Sequence, residues 1–310
     1  MKTGPPNPAE LTGQLSQMLG RPLTVDLRSY QHIPHIGLDG MVAAEIPSLG
    51  LFLCRLPFPI WSELDYHFIP RYPPNPLPVF AVSLDRPGGR WDNVVRTLYL
   101  SLVALTGARL EHPDNSVCYR SSLDGTVSRT IGPLGRGSLL LRTPPLVRLN
   151  AVDVAELEKT CARLTALPGL LEIPEILFAA QSLERGAMPG VGLAEDTAIC
   201  AIALEELLMK PNSKQLTATF ARRVGVLLND QVPAAEVASI RLARMIYRAR
   251  SQVLHGEADL TRLDWVLLNR CSRLALAGAI TVIARSLHCG LLTAYSPAVL
   301  GELLDRGTMR

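Results

Sequence analysis

Residues 247–256 read Tyr-Arg-Ala-Arg-Ser-Gln-Val-Leu-His-Gly and close an amphipathic stretch that begins near residue 233. Its apolar spacing and Gly256 predict a helix over 233–255. Arg250, Ser251 and His255 lie within about two turns of this helix. An imidazole can move a proton to or from a ribose 2′-OH, and a guanidinium can stabilise charge on a phosphate. These three are the candidate catalytic residues for RNA cleavage, a chemistry that requires no metal.

A basic stripe runs along the other side of the predicted helix. Its members lie within about 60° of one another at about 100° per residue: Arg241, Arg244, Arg248 and His255. A surface that faces RNA needs such a local cluster of positive charge. The three arginines are therefore the candidate RNA-binding residues.

Arg250 instead falls inside the apolar arc, about 140° from His255 on an ideal helix. A buried cation without a partner costs too much free energy, so three interpretations are open. Arg250 is buried in a helix or dimer seam and paired with Glu205 or Glu206. Alternatively, it reaches round the helix end towards His255 if the last turn distorts. In the third interpretation, Arg248 is the phosphate partner.

The rest of the second half is also predicted to be helical. Helices are expected near 153–166, 174–185, 194–209, 214–229, 261–288 and 297–305. Prolines fall at helix edges, where they are tolerated, and short connections favour antiparallel neighbours. This half is therefore predicted to be a helical bundle.

Other charged residues of the bundle are assigned to its surface. Arg222 with Arg223, and Arg270 with Arg273, are expected to add basic surface beside an RNA groove. Asp196 is expected on a solvated acidic face.

The first 150 residues are predicted to form a mixed α/β domain. Strands are expected at 41–46, 50–56, 78–84, 116–120 and 138–142, and helices at 8–20 and 91–105. The proline pair at 144–145 and the polar turn that follows mark the boundary. The chain is thus predicted to be α+β, with a mixed α/β domain over 1–150 and an all-α domain over 151–310.

Three weaker candidate sites lie in the first half. The segment 57–78, rich in proline and aromatic residues, is either a packed loop or a recognition surface. The loop 132–137 contains Arg136, but it lacks the P-loop and dinucleotide-binding patterns. His32 and His35 have no nearby acidic or cysteine ligands. We therefore predict neither a metal nor a cofactor.

Composition narrows the class of protein. The net charge is only +3, so nucleic-acid binding must come from local clusters. The six cysteines have no close pairs, which favours free thiols in a reducing compartment. The N-terminus lacks a signal-peptide core. The apolar run 274–284 is about half the length of a membrane span. We expect a soluble cytoplasmic protein that does not enter a membrane.

The end of the 233–255 helix also carries a family resemblance. Arg250, four residues and then His255 is similar to the arginine-histidine signature of the HEPN superfamily. The wider pattern over 247–256 resembles the Apea-like branch of that superfamily. An upstream helix over 196–208, rich in alanine and leucine and with Glu205 and Glu206 near its end, resembles a helix of the same branch. The resemblance covers roughly residues 153–300.

The resemblance implies an all-α HEPN domain that pairs as a homodimer, with both copies of Arg250 and His255 in one cleft. It implies a metal-independent endoribonuclease in which His255 acts on the 2′-OH and leaves a cyclic phosphate. Arg250 or Arg248 would stabilise the phosphate, with help from Ser251. Members of the family are associated with bacterial defence against phage. The N-terminal domain is therefore expected to respond to a phage-derived or protein trigger.

One position departs from the nuclease pattern. Many ribonuclease members carry Asn, Asp or His directly after the signature arginine, where this chain has Ser251. Serine can still hydrogen-bond a phosphate oxygen, but it offers less. A non-catalytic HEPN module that binds RNA, a nucleotide or a protein is the alternative function. A purely structural dimerisation domain is the third.

Overall fold

The computed structural model describes residues 13, 16–17, 20, 22, 29–33, 36–55, 79–83, 91–110, 117–121, 127–131, 147–187, 191–209, 215–231, 236–256 and 263–306. This part of the chain is mostly helical, with a small sheet region in its N-terminal half. The arrangement agrees with the predicted α+β class.

Most of the described strands form one antiparallel sheet. The strands are β1 (Ser29–Ile33), β2 (Ile36–Leu38), β3 (Ala43–Ile46), β4 (Leu51–Arg55), β5 (Val79–Ser83), β6 (Val117–Ser121), β7 (Val127–Ile131) and β8 (Val147–Leu149). The order in the large sheet is β3-β4-β5-β1-β6-β7, while β2 pairs in parallel with β8. In the central strand β1, Tyr30 lies opposite Val82 of β5 and Tyr119 of β6.

The strand predictions are confirmed for β3, β4, β5 and β6, whereas β1, β2, β7 and β8 were not predicted. Residues 51–54 of β4 are all buried. Because successive residues of a strand face opposite sides, both faces of the sheet are covered there. The predicted strand at 138–142, the segment 57–78 and the loop 132–137 lie outside the described residues, as does most of the predicted helix at 8–20.

The predicted helices from residue 91 onward are confirmed, with ends shifted by a few residues. They are α1 (Trp91–Thr106), α2 (Ala151–Thr165), α3 (Pro174–Gly186), α4 (Leu193–Leu208), α5 (Leu216–Gln231), α6 (Glu236–His255), α7 (Trp265–His288) and α8 (Pro297–Asp305). Local signals set several ends. Asp264 caps α7 by accepting from the N–H of Leu267 at 3.0 Å. Ser296 caps α8, which begins with Pro297.

The chain divides into two compact units. The first comprises Met1–Tyr99 and Leu110–Ala162, and the second comprises Leu100–Arg109 and Arg163–Arg310. This division differs from the boundary predicted at residue 150, because most of α2 belongs to the first unit and the end of α1 belongs to the second. The division follows contacts between residues that are distant in the chain, and the amino-acid composition near residue 150 does not reveal those contacts.

The turn that ends α1 is built into the second unit. Gly107 has a φ of +63°, and a Cβ there would overlap the side chain of Leu274. Backbone conformation and close packing therefore both require glycine. Arg273 of α7 donates from Nε to the carbonyl of Ala108 at 3.3 Å. These contacts attach the turn to α7.

A buried ion network ties α4 to α7. Nη1 of Arg273 lies 3.1 and 3.0 Å from the two carboxylate oxygens of Asp196. Both side chains are 0% exposed. Arg109 adds a second cation, with its Nε 3.5 Å from the Asp196 carboxylate. The predictions that Arg273 adds basic surface and that Asp196 lies on a solvated face are therefore wrong, since both residues belong to the core.

Helix ends help to explain why two cations share one carboxylate. Arg273 also donates to the carbonyl of Leu183 at 3.2 Å. Arg109 donates to the carbonyl of Gly186 at 2.8 Å. Both carbonyls lie in the last turn of α3, where a helix carries partial negative charge. Asp196 lies in the first turn of α4, where the partial charge is positive.

Arg223 of α5 is also buried and paired. Its Nε and Nη2 lie 3.2 and 2.9 Å from the carboxylate of Asp305 in α8. Arg222 reaches the same carboxylate at 2.9 Å. Partial burial raises the pKa of Asp305, but the hydrogen bonds and charges of the two arginines outweigh it and lower this pKa overall. The prediction that Arg223 adds basic surface is therefore wrong, whereas Arg222 stays 55% exposed and shares the single negative charge of Asp305 with Arg223.

The helix α7 is long and apolar enough to cross a membrane by length and composition alone. However, 78% of its apolar window is buried inside the protein. Core helices of soluble proteins meet the same criteria, so the structure is compatible with a soluble protein.

Candidate nucleic-acid interface

The helix α6 carries the candidate site on the face opposite its packing surface. Ala243, Ile246 and Ala249 recur every three residues and are fully buried where α6 packs in the bundle with α4 and α5. The helix ends at His255, and Gly256 follows with a φ of +68°. This is the glycine termination that the sequence predicts.

The basic stripe is exposed along its whole length. Arg241, Arg244, Arg248 and His255 are all exposed side chains. Within the described part of the chain, none of the three arginines forms an ion pair. Their charges are therefore available to an anionic ligand, whereas the buried Arg223 and Arg273 are paired with carboxylates.

Arg250 lies in the seam between α6 and α4. Its Nη2 lies 2.9 Å from Oε2 of Glu205, and the two side chains are 26% and 23% exposed. The guanidinium carbon also lies 5.7 Å from the ring centroid of Tyr247, a cation–π contact. The structure thus has the first of the three arrangements considered for Arg250, in the form of a helix seam with Glu205 as the acid.

Tyr247, which contacts Arg250, is itself held by packing against α5. Its ring packs against Phe220 of α5, with centroids 5.0 Å apart and an interplanar angle of 52°. Nε of Arg250 is buried without a hydrogen-bond partner among the described residues. The Arg250 side chain is therefore held by one carboxylate and one aromatic ring.

The structure separates Arg250 from His255. On a regular helix Arg250 points about 140° away from His255, whereas Arg248 lies about 20° from it. Ser251 is half-buried and flanks the stripe, one turn before His255. The structure thus puts Arg248, Ser251 and His255 on or beside one exposed face, and it leaves Arg250 in the seam.

Glu205→Gln is expected to destabilise the second unit by about 1 kcal/mol, because it leaves the half-buried Arg250 without its counter-charge and the pair is partly screened by solvent. Urea unfolding followed by circular dichroism would measure the loss. Glu206→Gln is the matched control, since Glu206 is exposed on the same helix and should change stability by less than about 0.5 kcal/mol. Equal unfolding midpoints for the two variants would contradict a stabilising role for the Glu205–Arg250 pair.

Sequence reasoning missed the buried roles of Asp196 and Arg273 and the stacking of Tyr247 on Phe220. One signal was present for Arg273, which lies beside the apolar run 274–284 on a strongly apolar helix. A cation in such a position requires a buried partner. Its partner, Asp196, is 77 residues away in the chain, so the sequence does not identify the pair.

The described residues contain no group of three or more His, Cys, Asp and Glu side chains that could hold a metal ion. His32 lies on β1, and His35 is outside the described residues. The described residues therefore include only one of the two histidines considered as metal ligands.

Comparisons with known proteins return no match, whether with protein-family models, curated proteins or solved structures. The HEPN resemblance therefore rests on the two motifs at 196–208 and 247–256 themselves.

Proposed function

We propose that this protein is a metal-independent endoribonuclease that cleaves RNA through the ribose 2′-OH. The observation that carries the proposal is the shared exposed face of Arg248 and His255. Two further arginines, unpaired among the described residues, continue the same line. A row of exposed cations that ends in a proton-transfer group supplies both phosphate binding and general acid–base chemistry.

In the proposed reaction, the 2′-oxygen attacks phosphorus as its proton passes to His255. The bond from phosphorus to the 5′-oxygen breaks, which leaves a 2′,3′-cyclic phosphate. The departing 5′-oxygen takes up a proton from water or from the histidine of a second copy. Arg248 stabilises the charge that develops on the phosphate, and Ser251 donates a hydrogen bond to a phosphate oxygen.

Arg250 acts in this proposal as a positioning residue. Its ion pair with Glu205 and its contact with Tyr247 hold α6 against the rest of the bundle. The rotation of α6 about its axis decides which residues face solvent. By fixing that rotation, Arg250 keeps the basic stripe outward.

The proposal includes the homodimer that the resemblance implies. Leu254, next to the proton-transfer residue, is 54% exposed, and Val266 and Leu267 in the first turn of α7 are 69% and 43% exposed. A second copy that covered these side chains would remove apolar area from water. In such a dimer, the two copies of His255 would approach one cleft, while each Arg250 stays in its α4–α6 seam.

The proposal assigns the activity to the cytoplasm and to defence against phage, with a phage-derived or protein trigger acting on the N-terminal unit. Cys54, Cys200 and Cys271 are buried free thiols, which supports a reducing compartment. The defence role follows from the HEPN resemblance alone.

A second candidate function is a non-catalytic module that binds RNA. The observation in its favour is that Glu205 already neutralises the signature arginine. Ser251 also stands where many ribonuclease members carry a stronger hydrogen-bonding or titrating group. The basic stripe would serve such a module equally well.

The test of the proposed function is cleavage of end-labelled single-stranded RNA by the full chain in the presence of EDTA. We expect products with 2′,3′-cyclic phosphate ends, and no cleavage at a position where a deoxynucleotide removes the 2′-OH. Cleavage that EDTA abolishes, or that proceeds without the 2′-OH, would contradict the mechanism. RNA binding without cleavage would favour the second candidate.

A further inference from the structure

The basic stripe forms one continuous row along the helix. Arg241, Arg244 and Arg248 are three and four residues apart. The gap of seven residues to His255 is filled by the polar Ser251 and Gln252, which lie three and four residues after Arg248. From Arg241 to His255 the row spans about 21 Å at 1.5 Å per residue. We infer that a single RNA strand lies lengthwise on this row, with the reacting nucleotide at His255. This inference rests on the proposed function. It adds the length of the RNA substrate and the groups of that substrate that the protein recognises.

The length of the row sets the footprint. A stacked strand advances about 3.4 Å per phosphate, so a row of about 21 Å accommodates about six phosphates. Three arginines along it neutralise about three of those phosphates. A substrate of about six nucleotides therefore fills the site, and a dinucleotide occupies only one end of it.

Helix polarity makes the reacting end the weaker binding end. His255 is the last residue of α6, where unsatisfied carbonyls carry partial negative charge. That charge repels a phosphate, so most of the attraction comes from the arginines nearer the N-terminus. Efficient cleavage therefore depends on nucleotides that reach Arg244 and Arg241, beyond the scissile bond.

The row offers few aromatic rings on which successive bases could stack. The row and the flanking Ser251 and Gln252 contain no Tyr, Phe or Trp, and the imidazole of His255 is its single aromatic ring. Tyr247, the one Tyr, Phe or Trp of 241–256, is half-buried and contacts Phe220 and Arg250. Arginines that contact phosphates position a strand without reading its bases. Single-stranded DNA of equal length is therefore bound as well, but it is not cut because it lacks the 2′-OH.

The experiment measures binding by fluorescence anisotropy and cleavage in EDTA, with oligouridylates of 2, 4, 6, 8 and 12 nucleotides over a range of salt concentrations. It compares the full-length wild type with Arg241→Ala, Arg244→Ala and Arg248→Ala. Arg148→Ala, an exposed arginine of β8, is the matched control. Oligoadenylate and oligodeoxyuridylate of six nucleotides test base and sugar preference.

We expect affinity to rise up to about six nucleotides and then to level off. Each stripe variant should reduce the slope of log K against log salt by about 0.7, the value for one phosphate contact on a single strand. Arg148→Ala should leave the slope unchanged, and the deoxy strand should compete without being cut.

Two results would overturn the inference while the proposed function stands. One is cleavage of the dinucleotide as efficient as that of the 12-mer. The other is cleavage in EDTA with a salt slope that Arg241→Ala and Arg244→Ala leave unchanged. If the wild type neither binds nor cuts any strand, the proposed function fails and the inference fails with it.

Discussion

Asp196→Ala is expected to lower the free energy of unfolding of the second unit by about 3–5 kcal/mol, the usual cost of breaking a buried ion pair by removing one partner. The variant removes from Arg273, which is 0% exposed, the carboxylate that lies 3.0–3.1 Å from its Nη1. Its remaining acceptors include the carbonyls of Leu183 and Ala108. Neutral carbonyls compensate a buried charge only in part.

Urea unfolding monitored by circular dichroism at 222 nm would measure this loss. Glu206→Ala is the matched control, because it removes an exposed carboxylate from the same helix and should cost less than about 0.5 kcal/mol. If Asp196→Ala proves too unstable to purify, Arg109→Ala tests the same network. Arg109 is 25% exposed and its removal leaves the Asp196–Arg273 pair intact, so its cost should fall between those of the other two variants.

Equal stabilities of Asp196→Ala and Glu206→Ala would contradict the role assigned to the network. A larger loss for Arg109→Ala than for Asp196→Ala would also contradict it. In that case the attachment of the Leu100–Arg109 segment, and not the buried charge, would dominate the stability of the unit.

The helices were predictable because their signals are local. Prolines, capping residues and terminal glycines mark the ends of α3, α6 and α8, and the apolar periodicity between them fills several turns. The strands β1 and β7 had weaker local signals. The sequence of β1, Ser-Tyr-Gln-His-Ile, has no strong apolar alternation. It becomes a central strand only through pairing with β5 and β6, which lie far away in the chain.

The exposed half of the candidate site was predictable for a similar reason. A helical wheel needs only the sequence of α6, and the structure exposes all four members of the basic stripe. The partner of Arg250 was narrowed to two adjacent glutamates, but not further. Glu205 and Glu206 point about 100° apart on α4. Which of them faces α6 depends on how α4 is rotated in the bundle, a property of tertiary packing.

His255→Ala is expected to reduce RNA cleavage in EDTA by about 10²–10⁴-fold, the usual contribution of a general acid–base residue. Binding of a six-nucleotide strand should remain within a few-fold of the wild type, because the arginines of the basic stripe are unchanged. Single-turnover cleavage and anisotropy on the same RNA would separate the two effects.

The chain supplies a close control in His288→Ala. His288 is also an exposed histidine at the last position of a helix, α7, so its loss reproduces the effect of removing an imidazole from a helix end. That effect on stability is at most about 1 kcal/mol for an exposed group. Equal cleavage by the two variants would exclude His255 as the proton-transfer residue. If His255→Ala alone loses binding and cleavage in parallel, His255 is a phosphate contact and the binding module is favoured. Loss of cleavage with retained binding is the result that only a nuclease predicts.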